Sequence, residues 1–545
     1  MKKILSLVCA LALLVSLMPL CVASAEEPIE ITYYRPELNR NSVAYYNDTA
    51  WVQEIEKRLN IKLTIKGVPE ADYTTAVNAL LTSGDYPDLL YYDWNQYSGG
   101  AQAGIEDGVI VPVGQIPEYK EKVPNWFNVV EGNANVRRAV ALDDGSVVTF
   151  CHWEPNMARS AYWGYAIRKD WLDRLGLEVP TTVDEMYNVL KAFKEQDANG
   201  NGDPNDEIPF SSCNWWGTAH PGLDTLAAAW SLKINFLYSN PQEPGKVTFA
   251  TAYNDGANFK DYVTTMAKWY AEGLIDAEYA SQTHDSMDAK INQDKVGSFF
   301  CFPDNVAGYE ASIGQTLTDA GYADPAGVMV YGLVPLKGID GVAYTYDYDN
   351  AMVSYAGNNQ PTVITTAAVK NGHIDKCLEL LNFMYSEEGS EIINWGVEGV
   401  SYTKDENGNN VWTEAVTADP EYGPADAVFK YALPTMGSFP KAMSYEAWAS
   451  MNLTVPDQII THKNYAACDT SLDLPNFALS YDEQEAYNTV FTDATTAVAE
   501  SMVKIITGQE PVEKIDDLLK TVNEVIGIQQ AIDAYQSAYD RYLAH

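Results

Sequence analysis

The chain has 545 residues and carries 35 Lys and Arg against 75 Asp and Glu, a formal net charge of −40. That length excludes a small module stapled by metal or disulfides, and 46% hydrophobic residues with 36 Tyr and 13 Trp exclude an acidic disordered chain. The charge excludes non-specific attachment to nucleic acid, or to anionic lipid through the folded surface, because phosphate is repelled.

Lys2 and Lys3 precede an apolar run over 4–22, and Ala23-Ser24-Ala25 follows before Glu26. A basic start, an apolar middle and an A-x-A exit read as a secretory signal peptide spanning 1–25. The same run is about long enough to serve as a membrane anchor instead. Cys21 raises lipid attachment, but Leu20 before it is bulky where lipoprotein signals want a small residue, so cleavage after Ala25 is favoured. No later segment reads as membrane-spanning, which places the mature protein outside the membrane, in the cell envelope or beyond.

The next stretch alternates strand and helix. Residues 29–34 read as a strand. Trp51, Val52, Ile55 and Leu59 share one face of a helix over 50–60. A second strand covers 62–68, a second helix 71–83 and a third strand 88–92. This β-α-β-α-β order implies a parallel sheet flanked by helices, with ligands beyond the carboxyl ends of its strands. Trp94 and Asn95 follow the third strand.

In the middle, a Pro-Thr-Thr turn precedes a helix with Thr182 and Glu185 as a capping box and Val183, Met186, Val189, Leu190 and Phe193 as its buried stripe. The run Asp197-Ala198-Asn199-Gly200-Asn201-Gly202-Asp203-Pro204-Asn205-Asp206-Glu207 follows. Oxygen ligands at alternate positions with a glycine at the sharp turn are what a calcium loop needs. Positions one, three, five and six match the EF-hand pattern, but Asp206 and Glu207 fall at ten and eleven and Ile208 stands at twelve. The segment therefore reads as a lone, structural calcium loop with Asp197, Asn199, Asn201, Asp203, Asp206 and Glu207 as ligands. The competing reading is a solvated turn held by Asx hydrogen bonds. An amphipathic helix over 258–272 and a buried strand over 294–300 come next. The last third is mostly helical, with a helix over 374–385 and a long one capped by Ser480 and Glu483.

Cys151, Cys213, Cys301, Cys377 and Cys468 are far apart and form no C-x-x-C pair, so neither a disulfide framework nor a zinc site is expected. Trp94, Trp126, Trp153, Trp163, Trp215, Trp216 and Trp395 lie near loops or strand ends. Flat rings stack on sugar faces while polar neighbours bond the hydroxyls, although core packing is the commoner fate of any one Trp. Cys151-His152-Trp153-Glu154 and Asn214-Trp215-Trp216 mix both kinds of group. G-x-S-x-G, H-E-x-x-H, P-loop and G-x-G-x-x-G signatures are absent. Paired carboxylates meet only in space, so a glycoside hydrolase stays open as an alternative.

The chain resembles the extracellular solute-binding proteins of family 1, the receptors of ABC sugar importers. It is most similar to the larger, calcium-containing branch that binds oligosaccharides, including the alginate-binding proteins. The segments that carry this are YAIRKDWLDRL at 165–175, GLEVPTTVDEMYNVLKAFKEQDANGNGDPNDEIPF at 176–210, GLIDAEY at 273–279, DKVGSFF at 294–300, YSEEGSEIINWGVEGVSY at 385–402 and AYDRYL at 538–543. The calcium loop departs from the branch, where the Asp-Glu pair comes one residue sooner.

The resemblance implies a type II, periplasmic-binding-protein-like α/β fold of two lobes with ligand in the cleft. Lobe 1 takes 26–161 and 358–401, and lobe 2 takes 162–357 and 402–545, with crossings near 162–165, 356–359 and 402. It also implies a non-enzymatic, monomeric receptor that closes on an oligosaccharide and docks on a membrane permease. Placement then assigns Trp94 and Asn95 to the first lobe's side of the cleft and Trp163, Trp215 and Trp216 to the second's. Trp153 with Glu154, and Trp395 with Glu398, fall near the crossings. A peptide or other small-solute receptor on the same scaffold is the third reading.

Overall fold

The structure, a computed structural model, describes residues 27–37, 46–97, 99–142, 144–155, 161, 163–213, 221–322, 327–345, 361–434, 439–475, 477 and 479–544. The expected leader at 1–25 lies outside them, as does the crossing near 356–359.

Strand β1 (Ile29–Pro36) buries Ile31, Tyr33 and Arg35 in alternation, the period of a strand with one face on a core. Helix α1 (Ala50–Leu59) buries Trp51, Val52, Ile55 and Leu59, the four residues that the helical period selects. It stops where Asn60 turns left-handed at φ 50° and its N–H closes on the Glu56 carbonyl. β2 (Ile61–Val68) pairs parallel to β1, Ile29 opposite Ile61. α2 (Glu70–Ser83) returns the chain to β3 (Leu89–Tyr91), parallel on the other side of β1.

A second sheet starts at β4 (Gly164–Arg168), which runs into α3 (Lys169–Leu175). α4 (Val183–Glu195) buries Met186, Val189, Leu190 and Phe193. Its cap is half of the expected box. Thr182 Oγ1 accepts the Glu185 N–H, but the Glu185 carboxylate takes the N–H and hydroxyl of Thr181. β5 (Ile208–Ser211), α5 (Pro221–Leu226), a hairpin of β6 (Leu237–Ser239) and β7 (Val247–Phe249), and α6 (Ala257–Ala271) follow. β8 (Val296–Cys301) is buried along its whole length. It lies between β5, parallel, and β4, antiparallel. After α7 (Val306–Asp319), β9 (Val330–Gly332) completes the order β5-β8-β4-β9.

β10 (Thr362–Ile364) then returns to the first sheet, antiparallel to β3. α8 (Ile374–Met384), α9 (Glu387–Trp395) and a hairpin of β11 (Tyr402–Lys404) and β12 (Asn410–Trp412) follow. The end of the chain is helical: α10 (Tyr445–Asn452), α11 (Pro456–Ala466), α12 (Tyr481–Ile506) and α13 (Gln529–Ala544). Ser480 and Glu483 form a reciprocal capping box on α12. The same Glu483 carboxylate takes both terminal nitrogens of Arg541 on α13 at 2.7 and 2.8 Å. Burial opposes its charge, but the Arg541 and Ser480 hydrogen bonds win and hold it at about 2. No helix among the described residues is long and apolar enough to cross a membrane.

Two large cores result. One gathers the first sheet with α1, α8 and α9, and the other the second sheet's flank with α4, α6 and α12. The first core also draws on residues beyond 402. Val416, Val428, Phe429, Leu433 and Phe439 pack into the first core. Phe439 stands edge-on to Tyr33, Tyr46 and Trp51 with centroids 5.1–5.7 Å away. The chain therefore leaves the first core after Phe439, because this aromatic pocket holds it there.

α11 seals the free edge of β9. Thr461 Oγ1 accepts the Gly332 N–H at 2.8 Å and Asn464 donates to the Gly332 carbonyl at 2.7 Å. The Tyr465 ring enters between Gly164 and Gly332, where a Cβ on either glycine would lie 2.5 and 2.8 Å from its Cε1.

Candidate functional site

Strand direction aims both sheets at one place. β1, β2 and β3 are parallel, so Pro36, Val68 and Tyr91 end on the same side, and antiparallel β10 starts there at Thr362. In the second sheet β5 and β8 end at Ser211 and Cys301, beside the start of β4, with Gly164 opposite Cys301. The chain passes between the cores at these ends. Phe150 bridges to Thr362, and Trp153 bridges to Ala442 in parallel. Trp153 N–H donates to the Lys441 carbonyl, and Met443 N–H donates to the Trp153 carbonyl, both at 2.9 Å. The first and third crossings thus run as a paired ribbon beneath the strand ends.

Past the ribbon the third crossing enters an aromatic cluster of the second lobe. Met443 and Trp448 pack with Phe300 and Phe302, and Trp163 leans on the same two Phe rings at 5.7 and 6.0 Å. One residue earlier on α10, Ala447 is buried against Trp395 and Tyr402, and Ser450 accepts a hydrogen bond from Trp412 Nε1 at 2.8 Å. α10 is therefore gripped by both lobes at once.

Among the predicted binding residues, Trp153 and Trp163 are half-buried and meet at this floor through the 441–443 segment. The Nε1 of Trp153 is buried with no hydrogen-bond partner. Glu154 is buried beside His152, Oε1 to Nε2 3.3 Å, so its carboxylate faces the protein. Trp94 stands at the carboxyl end of β3 as placed, but it is a core residue, edge-on to Tyr92. Trp395 is also core, its ring tilted against Trp412 with centroids 4.5 Å apart, and Glu398 is exposed. The side chain of Asn95, and Trp215 and Trp216 altogether, lie outside the described residues. Two cations went unforeseen. Lys441 is wholly buried and donates to Asn394 Oδ1 at 3.1 Å and to the Leu433 carbonyl. Arg35, 2% exposed, sits 3.7 Å from the centre of the Phe439 ring. A lysine in Phe439-Pro440-Lys441-Ala442-Met443 has no periodic pattern to mark it as buried.

The second lobe's wall holds a cavity of about 20 Å3, room for a single water, lined by Gly164, Thr225, Leu333 and Thr345 among others. Asp224, next to Thr225 on α5, is buried, and desolvation pushes its carboxyl up to about 8. The folded state then holds a proton that the unfolded chain releases near 3.8. Its contribution to stability is full below that value and is lost as pH rises toward about 8. Asp224→Asn should therefore flatten the decline in melting temperature across this range and raise the alkaline melting temperature by a few degrees. Thermal melts at successive pH values check this, and parallel wild-type and variant curves would reject it.

The 197–207 loop folds around its own acceptors. Asn201 N–H donates to Asn199 Oδ1 and Gly202 N–H to Asp197 Oδ2, both at 3.0 Å. Asp206 accepts from the side-chain amides of Asn199 and Asn201. Glu207 Oε1 takes the Ala198 N–H at 2.8 Å, and burial raises its carboxyl despite that bond. Gly200 and Gly202 turn left-handed at φ 75° and 93°. Asp203 instead accepts from Asn205. Two oxygens, Asp197 Oδ1 and Glu207 Oε2, are buried with no hydrogen-bond partner. Among the described residues no three His, Cys, Asp or Glu side chains converge as a metal group, so any ion here would need the loop's amide and backbone oxygens as well.

Residues 42–391 match the family model described as bacterial extracellular solute-binding protein. The chain is 30% identical over 271 residues to the fructooligosaccharide ABC transporter substrate-binding protein FusA of Streptococcus pneumoniae, covering 48% of this chain and 47% of that one. Across the curated relatives it matches, the chain spans 45–64% of their length. Solved structures share the fold over nearly the whole chain at 21% identity. An HMO binding ABC-transporter associated solute-binding protein from Bifidobacterium longum infantis superposes with a TM-score of 0.70, covering 94% and 99% of the two chains. The alginate-binding protein AlgQ2 without calcium ion gives 0.66 over 94% and 98%. FusA as an EF-hand mutant gives 0.67 over 95% and 99%.

Proposed function

The chain belongs to the bacterial extracellular solute-binding proteins, and on that premise we propose that it is the monomeric receptor of an ABC importer, capturing an oligosaccharide between two lobes and presenting it to a membrane permease. Lobe 1 comprises the first sheet with its 361–439 return, and lobe 2 the second sheet with the 443–544 helices. The observation that carries the reading is the floor itself: both sheets direct their strand ends at a paired ribbon that carries a half-buried Trp153. That tryptophan's backbone is held on both sides, so its ring is placed before ligand arrives, which lowers the ordering cost of binding. The indole face takes the C–H face of a sugar ring, and Trp163 meets the next ring from the second lobe. Binding must favour the closed state by contacts to both lobes. The reading includes export by the 1–25 leader and no turnover of the glycan.

The 197–207 loop fits calcium in this reading. Asp197 and Glu207 would supply their unpartnered oxygens, with Asn199, Asn201 and Asp206 beside them. The ion would clamp the loop and add stability, and it has no part in recognition.

Calorimetry against a glycan panel, with the products examined afterwards, tests the proposal. Trp153→Ala should weaken the best ligand by roughly tenfold or more, about 1.4 kcal/mol, while Trp153→Phe loses less. Unchanged affinity in Trp153→Ala removes the platform, and cleavage of the glycan replaces the receptor with a hydrolase.

A further inference from the structure

Both lobes hold the ribbon that places Trp153. Its first strand is tied to lobe 1. Phe150 and Thr362 exchange two backbone hydrogen bonds at 2.8 and 2.9 Å, Trp126 Nε1 donates to the Thr149 carbonyl at 2.9 Å, and the Tyr385 hydroxyl donates to the Cys151 carbonyl. The second strand passes from one lobe to the other within a single peptide unit. The Met443 side chain packs in the second lobe's cluster with Phe300, Phe302 and Trp448. The Ala442 carbonyl is instead held by α9, where Ser390 Oγ and Asn394 Nδ2 both donate to it at 2.9 Å. The N–H of that same peptide unit belongs to Met443 and donates to the Trp153 carbonyl at 2.9 Å. α9 therefore grips one end of the peptide whose other end holds the tryptophan.

The network fixes which way the buried Asn394 amide faces. The Lys441 ammonium has donors only, so Oδ1 must turn to it, at 3.1 Å. Nδ2 is then aimed at the Ser390 carbonyl, at 2.7 Å, and at the Ala442 carbonyl. The ammonium is itself anchored on the carbonyl of Leu433, a residue of the first core. A chain of hydrogen bonds thus runs from α9 through one peptide unit to Trp153, and each polarises the next.

We infer that Ser390 and Asn394 are positioning residues for the Trp153 platform. They keep the ribbon on lobe 1 while the lobes move, so the ring keeps the orientation in which it meets a sugar. With their hydrogen bonds gone, the Met443 anchor draws the ribbon toward lobe 2, and the ring spends part of its time in orientations that do not bind. Apparent affinity falls in proportion to the competent fraction. This deepens the receptor reading above and rests on it.

Asn394→Asp is the first test, because it keeps the acceptor for Lys441 and turns an oxygen toward the Ser390 and Ala442 carbonyls at nearly constant volume. Ser390→Ala is the milder second variant should the first not fold. Calorimetry of the full mature chain uses the tightest binder among fructo-, manno-, xylo- and galacturono-oligosaccharides of three to five units. Asn394→Asp should weaken it by roughly three- to tenfold, as for a ring that is competent about 10–30% of the time. In a Trp153→Ala background the same change should add less than about twofold, because the ring through which it acts is gone. A second readout needs no glycan. In a chain labelled with 5-fluorotryptophan, the Trp153 signal is assigned by its loss in Trp153→Phe. It should be one sharp line in the wild type and should broaden or split in both variants. Losses of equal size in the two backgrounds, or an unchanged fluorine line, overturn the positioning role and leave the receptor standing. Where Trp153→Ala leaves no measurable binding, the fluorine line alone decides. Failure of every glycan to bind overturns the receptor reading and this inference with it.

Discussion

Chelation of divalent cations should lower the melting temperature of the chain by about 5–10 °C. An ion held at about a hundred times its dissociation constant adds roughly 2.7 kcal/mol, and each kcal/mol moves a unit of about 150–250 residues by roughly 2–4 °C. The physical reason lies in two oxygens. Asp197 Oδ1 and Glu207 Oε2 are buried without partners, and an acceptor in that state costs free energy until something positive meets it. The loop sits against the second lobe's core: Ala198 is fully buried, and Asn199 Nδ2 donates to the Asp294 carbonyl at 3.2 Å. Loosening it therefore reaches β8. Asp197→Ala should remove the response to chelator and to added calcium together. An unchanged melting temperature, with no metal found by elemental analysis of the purified protein, would leave the loop as an Asx-bonded turn.

The second large effect is steric. Gly332→Ala should destabilise the second lobe by about 1–3 kcal/mol, the usual cost of forcing atoms into a packed core, and Gly164→Ala by a similar amount. A methyl on Gly332 would meet Thr461 Cγ2 as well as the Tyr465 ring, and one on Gly164 would lie 2.5–3.1 Å from three atoms of that ring. The ring cannot retreat, because Tyr465 is fully buried and α11 is tied to β9 by the Thr461 and Asn464 hydrogen bonds. Tyr465→Phe separates bulk from polarity. Its hydroxyl is buried with no partner, so removing it should cost nothing or stabilise slightly. Urea unfolding measures all three, and a Gly332→Ala midpoint equal to wild type would show that α11 can move aside.

The elements that the sequence foretells best are those whose whole pattern is local. The period in α1 names its four buried residues, and Ser480 with Glu483 marks the start of α12, because caps and faces are decided within one or two turns. Thr182 and Glu185 have the same spacing, yet the carboxylate chose Thr181, a competition between neighbouring donors that spacing cannot rank. Trp94 and Trp395 show the limit for the site. Each stands near a strand end or in a segment that the family resemblance puts by the cleft, and each is core, because a tryptophan's fate depends on what packs over it. The 439–443 ribbon has no local signal in the sequence, since its position rests on Phe439 meeting Tyr33, Tyr46 and Trp51. Trp153 was legible as a binding candidate only through its polar neighbours, and one of these, Glu154, faces inward.

The cysteines allow one more measurement. Cys151 and Cys377 lie in the first core, and Cys213 and Cys301 in the cluster around β8. All four are free and buried, and burial pushes the thiols up, Cys151 to about 12 and Cys213 to about 11. Only a thiolate reacts, so alkylation of each must wait for its own lobe to open, and local openings differ in free energy across a structure. Half-buried Cys468 supplies an internal reference. A mass-resolved alkylation time course, with and without glycan, would thus clock the breathing of the two lobes separately within one unlabelled molecule.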